Sequence, residues 1–254
     1  MRKKISILTI ICILIMALIG CGTSVDASSP YVPTEDLDIL YFFSDVNIEI
    51  ENLLYRQDLA HKMAECARSL GYAEDCEVIL AAKTEWHKCE EQLQANMEYI
   101  SGWIKKFEEY PYATYIWLYC VKELGYSNEV TAGLLGNMMA EVGGGTLDLQ
   151  YWLYSYGSGY YYGICQWSRD TYPDVRGQDL IFQCEYLAKT IEYELDTFGY
   201  AYQSGYKYAN FLELTSVEEA ALMFAKCYER CAKSTYSVRQ KNAVKAYDYF
   251  MGLC

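Results

Sequence analysis

Apolar positions change their spacing along this 254-residue chain, and each change marks an element. Ile5 to Ile19 is a nearly continuous apolar run behind Arg2, Lys3 and Lys4. It is long enough for the core of an export signal and too short for a comfortable membrane span. From Leu59 the spacing becomes helical. Leu59, Met63, Cys66, Ala67 and Leu70 keep that spacing, and Gly71 is placed to end the helix. After Asp75, Ile79, Trp86, Leu93, Ile100 and Phe107 recur every seven residues, with Ala82, Cys89 and Trp103 three beyond their partners. This predicts one long helix folded against the first, and Asp75 to Glu109 would span on the order of 50 Å. The hairpin reads as a spacer, as a dimerisation arm for self-association, or as a plain packing element.

Pro111 ends this pattern. Ile116, Cys120 and Leu124 mark a helix closed by Gly125, and Ser127 is placed to cap the next one, which carries Glu141, with Glu129 in its first turn. Gly133 and Gly136 inside that helix predict close packing against another backbone. Tyr151 to Tyr162 holds seven aromatics in twelve residues around Gly157-Ser158-Gly159, a β-hairpin or an aromatic loop. Helical spacing resumes over Leu180 to Phe198. Capping boxes then precede Val217 to Arg230 (Ser216 with Glu219) and Val238 to Met251 (Ser237 with Gln240). The fold class is α+β, mostly α, with a small β-hairpin. The divisions are a signal over 1–20, a tether and lead-in over 21–52, a helical hairpin over 53–110 and a C-terminal domain over 111–254.

One residue breaks the apolar pattern where chemistry would need it. Leu134, Asn137, Met138 and Glu141 share a helix face that is otherwise mostly apolar. Glu141 also lies in the last turn, so burial and the helix dipole both disfavour its anion, which is how a general acid is made. Gly143, Gly144 and Gly145 then stop the helix and let the chain turn.

Charge and cysteine usage narrow the setting. The formal net charge is −13 although the first twenty residues contribute +3, so the rest is more acidic still. Phosphates would be repelled, which argues against nucleic acid. The apolar run ends Leu18-Ile19-Gly20-Cys21, which looks like a bacterial lipobox with lipidation at Cys21; ordinary secretion is the alternative. Gly22 to Glu35 contains Pro30 and Pro33 and would serve as a flexible tether reaching roughly 20 Å. The expected location is extracytoplasmic, at the membrane through the lipid anchor. Apart from Cys12 and Cys21 there are nine cysteines, and export permits disulfides without fixing their pairing. His61 and His87 are the only histidines and read as polar-face residues. A zinc site or a Cys-His pair therefore cannot be assembled from the C-terminal domain's own residues, and neither a metal nor a cofactor is expected.

Gly-Leu-Leu-Gly-Asn-Met-Met-Ala-Glu at 133–141, Tyr-Gly-Ile-Cys-Gln-Trp at 162–167 and Tyr-Glu-Arg at 228–230 together resemble the phage-tail lysozyme family of the lysozyme-like superfamily. The resemblance covers residues from about 112 to 250. It implies a lysozyme-like catalytic domain acting on peptidoglycan glycan strands, with Glu141 as the catalytic acid and Gln166 and Trp167 in the cleft. Tyr161, Tyr162 and Asn137 are taken with them as substrate-binding residues. Val142 stands where family members often carry serine. Tyr228-Glu229-Arg230 reads as a charge pair anchoring a helix end.

A muramidase is the expected activity, with Glu141 protonating the leaving oxygen. Asp148 and Asp170 are the candidates for a second carboxylate. Without one, the substrate's N-acetyl group would assist hydrolysis, or its 6-hydroxyl would attack internally, as in a lytic transglycosylase. A non-catalytic glycan-binding lipoprotein is the reading outside enzymes.

Overall fold

The structure is a computed structural model and describes residues 37–149 and 159–252. The readings of the export signal, of Cys21, of the tether, of the aromatic segment 151–158 and of Cys254 lie outside the described residues. Those that are described belong to one compact unit.

A short 3-10 helix, Ile39–Phe43, leads into α1 (Ser44–Ser69), which folds against α2 (Glu77–Glu109). Then come α3 (Pro111–Leu118), a π-helical turn Tyr119–Glu123 and α4 (Asn128–Val142). The strands β1 (Tyr161–Tyr162) and β2 (Trp167–Ser168) pair antiparallel, Tyr161 opposite Ser168 and Tyr162 opposite Trp167. Helices α5 (Leu180–Phe198), α6 (Tyr208–Leu212), α7 (Val217–Cys227) and α8 (Tyr236–Met251) complete the body. The fold is mostly helical with one small antiparallel sheet, the expected class.

Helix α4 is the centre. Leu134, Leu135 and Met138 are fully buried, as are Val130 and Ala132 on other sides, so the helix is enclosed by its neighbours rather than amphipathic. It packs on α7 and α8, which also pack on each other. The two glycines make this approach possible, as their positions predict. A Cβ on Gly133 would lie 2.6 Å from the Ala220 Cβ, and one on Gly136 would overlap the Ala243 backbone. Ser127 caps α4 by accepting from the Val130 N–H at 3.1 Å. Stacking of Trp117 on Phe250, with ring centroids 4.3 Å apart, ties α3 to α8.

Three local expectations need correction. Most of the apolar face read on the first helix is exposed: Leu59, Met63 and Leu70 are 46%, 48% and 71% exposed, and of that set Ala67 is buried, together with Ala60, Ala64, Ile50 and Leu53. Alanine at the contact lets two helix backbones approach, and the larger residues then have no room on that side. The second capping box does not form either. Helix α8 begins at Tyr236, before Ser237, and Gln240 donates instead to the Glu218 carbonyl at 3.2 Å. Ser216 does cap α7 through the Glu219 N–H. That helix ends at Cys227, short of Arg230. All eight described cysteines are free thiols, and Cys89, Cys120, Cys165, Cys184 and Cys227 are buried as small apolar groups.

Candidate active site

Polar side chains meet inside the core where α4, α7 and α8 come together. Glu141, in the last turn of α4, receives a hydrogen bond from Arg239 Nη2 of α8; their side chains are 21% and 5% exposed. Arg239 Nη1 donates to Asn137 Oδ1 at 3.1 Å, and Nε to Thr235 Oγ1 at 3.3 Å. Asn137 is fully buried and donates to the carbonyls of Gly133 at 2.8 Å and Ala221 at 3.0 Å, which joins α4 to α7. Glu141 is therefore not a lone carboxyl among apolar neighbours but half of a charge pair. Burial works against the Arg239 charge, and the Glu141 pairing outweighs it and holds the guanidinium protonated.

Arg239 went unnoticed in the sequence, yet it carried a signal. Arg239, Ala243, Ala246 and Phe250 form the buried stripe of α8, so a charge breaks that stripe just as Glu141 breaks the one on α4.

A second carboxyl stands nearby. Past the end of α7 the chain turns through Arg230 at φ 51°, and Glu229 points inward. Its Oε1 is buried and has no hydrogen-bond partner among the described residues. Burial first, and the Glu141 charge next, push the Glu229 carboxyl up to about 8; Arg239 and the Cys165 thiol pull the other way. Burial, together with the charges of Glu229 and Glu141, also raises Cys165 well above the usual thiol range. The reading of Glu229 as an anchoring charge is thus corrected. Arg230 pairs instead with Glu194, at 2.5 Å.

The hairpin motif packs behind this cluster. Trp167 is 3% exposed and donates to the Tyr228 hydroxyl at 3.0 Å. Tyr162 is equally buried, and its hydroxyl donates to the Tyr172 carbonyl at 2.6 Å. Gln183 accepts from the Ile164 N–H at 2.9 Å, and a Cβ on Gly163 would strike both that amide and the Trp167 ring. Gln166, part-buried at φ 47°, donates from its side chain to the Gly163 carbonyl at 3.0 Å. Tyr161 is exposed. The residues expected to bind substrate therefore divide. Asn137, Tyr162 and Trp167 form the buried frame, while Tyr161 and the edge of Gln166 reach solvent.

Asp148 and Asp170 are exposed. Asp170 accepts from the Tyr160 hydroxyl at 3.0 Å and from Arg169 at 3.2 Å, well apart in its bonding from the Glu141 cluster. Among the described residues no group of three or more His, Cys, Asp or Glu side chains could hold a metal ion, and no helix is long and apolar enough to cross a membrane. Among the described residues, concavities lie beside Trp86 and His87 on the hairpin and beside Gln240 and Lys241 on α8.

The three sequence motifs thus converge on one cluster: Asn137 and Glu141 from the first, Cys165 and Trp167 from the second, Tyr228 and Glu229 from the third. The sequence model of a family described as phage tail lysozyme matches residues 111–250, just over half of the chain. No curated protein and no solved structure matches it.

Proposed function

The chain belongs to the phage tail lysozyme family, and from that premise we propose that it is a muramidase cleaving the β-1,4 glycosidic bond of peptidoglycan, with Glu141 as general acid. The family makes it a peptidoglycan-lytic enzyme of glycosidase type. The observation that carries the finer reading is the position of Glu141. It is the carboxyl of a buried polar cluster whose side chain still reaches solvent, at 21% exposure, just before the turn at Gly144, around which a Cβ would meet nothing. A protonated Glu141 would donate to the leaving oxygen as the sugar moves toward an oxocarbenium-like state. Arg239 and Asn137 fix the carboxyl's direction, which is worth as much to the reaction as its acidity.

Glu141→Gln keeps the shape and removes the proton. It should lower the release of glycan fragments from purified sacculi by roughly 100-fold or more. Full activity in that variant would assign the chemistry elsewhere. End-group mass spectrometry separates the neighbouring mechanism: reducing ends fit a muramidase, whereas 1,6-anhydro ends identify a lytic transglycosylase. A protein that binds sacculi and releases nothing would be a glycan-binding lipoprotein.

The basic start, the apolar run and Cys21 support an enzyme held at the outer face of the membrane by lipid. Cys21→Ser should then release it from the membrane fraction.

A further inference from the structure

We propose that Glu229 and Glu141 form one carboxyl pair around Arg239 that holds a single proton at neutral pH, with Glu229 the positioning residue that keeps this proton available to Glu141. The proposal rests on the reading of Glu141 as the general acid.

The geometry leaves one cation for two carboxyls. The Arg239 hydrogen bonds go to Thr235, Asn137 and Glu141, and none of them reaches Glu229. Oε1 of Glu229 is buried with no donor among the described residues. An ionised carboxyl in that position would be a buried charge answered only by the weak Cys165 thiol donor and by arginines bonded elsewhere, whereas a protonated one carries its own donor. The proton of the resting pair therefore sits on Glu229, and the carboxylate is the one that Arg239 already holds. The charges facing Glu229 come from every side: Glu141 on α4, Arg239 on α8, the Cys165 thiol in the β turn, and Arg230 and Tyr228 from its own segment. Only the two arginines are cations, and Arg230 is engaged with Glu194.

The backbone points the same way. The two non-glycine residues with positive φ among the described residues are Gln166 and Arg230, each directly after a member of the cluster, Cys165 and Glu229. Left-handed backbone at such residues is costly and persists where the surroundings enforce it, commonly at active sites. Here it aims a thiol and a carboxyl at each other behind Glu141.

Two coupled carboxyls titrate as a pair. While the pair keeps its one proton, that proton remains within the cluster, and the supply ends only when the pair loses it. The alkaline limb of the activity should therefore follow the Glu229 titration, near pH 8, rather than ending where a lone carboxyl would.

Glu229→Gln mimics the neutral form and removes the coupling. Its alkaline limb of kcat should move to lower pH by more than one unit relative to the unmutated protein; superimposable pH profiles would overturn the pair. A merely structural glutamine would lower yield or stability without moving the limb. Should Glu229→Gln fail to fold, carbon-13 NMR of carboxyl-labelled glutamate in the unmutated chain decides. A Glu229 carboxyl carbon titrating near 8, with a smaller simultaneous shift at Glu141, supports the pair, and ordinary acid-range midpoints at both overturn it. If the unmutated protein releases nothing from sacculi, the muramidase reading fails and the NMR titration still judges the pair.

Discussion

The same ion pair, arginine with glutamate, occurs in two regions and has different consequences in each. On the helical hairpin Arg56 bridges α1 to Glu85 of α2, with side chains 44% and 39% exposed, among further exposed pairs made by Lys62, Arg68 and Lys83. In the body Arg239 meets Glu141 at 5% and 21% exposure, and each of its other nitrogens is bonded as well. Water and salt screen the first pair, so it decides little beyond solubility and register. Removing either partner of the second leaves a buried group with nothing to answer it, so there the whole cluster responds. What differs is the surroundings, and those are made by packing far along the chain: α4, α7 and α8 enclose Glu141, whereas the hairpin is two helices with water on most sides.

Arg239→Ala would break this contrast most severely. It strands Asn137 Oδ1 and Glu141 together, and unfolding in denaturant should show a loss of about 3 kcal/mol or more, with glycan cleavage abolished. An unchanged midpoint would mean that the body pair is no stronger than the hairpin pair.

Gly136→Ala tests the enclosure itself, because the added methyl meets the Ala243 backbone. About 1–3 kcal/mol should be lost by overpacking, read as a lower thermal midpoint. The same change at Gly102 on α2, which faces open space, should stabilise slightly by raising helix propensity.

The pH dependence comes next. The Glu229 carboxyl is raised in the folded state from its ordinary 4.5 to about 8. Between those values the folded chain binds a proton that the unfolded chain has released, so this contribution is fully present below about 4.5 and is lost as pH rises through about 8. Unfolding free energy should fall with a slope of at most about 1.4 kcal/mol per pH unit across that window, and Glu229→Gln should flatten it. On the hairpin Glu74 is shifted the opposite way, down to about 2 by hydrogen bonds from Arg68 and Lys83, but it is exposed and solvent screens its effect.

The smallest effect belongs to the hairpin. A double-mutant cycle on Arg56 and Glu85 should give a coupling at the limit of detection that vanishes with added salt. A large, salt-resistant coupling there would erase the distinction between the two regions.

Much of the body was legible along the chain. The Ser127 and Ser216 caps and the unbroken run of α2 act locally, and local chemistry is what a sequence displays; the glycines of α4 signalled a close approach but not its partners, Ala220 and Ala243. The hairpin's first helix was legible as a helix but not by its buried side. Two apolar faces of opposite residue size share that helix, and only the partner decides which one it takes. Glu229 offered no periodic signal because it lies beyond its helix, in a turn whose direction is set by the left-handed residue that follows.

The sequence alone determined the helical architecture, the family and the acid on the apolar face of Thr131 to Val142, because spacing and motif order are properties of the chain. Tertiary structure alone decided that this acid has an arginine partner from 98 residues away and a second, buried carboxyl, Glu229, beyond the end of α7. Burial and charge are collective: a carboxyl's proton depends on everything folded around it, and no local stretch contains those neighbours.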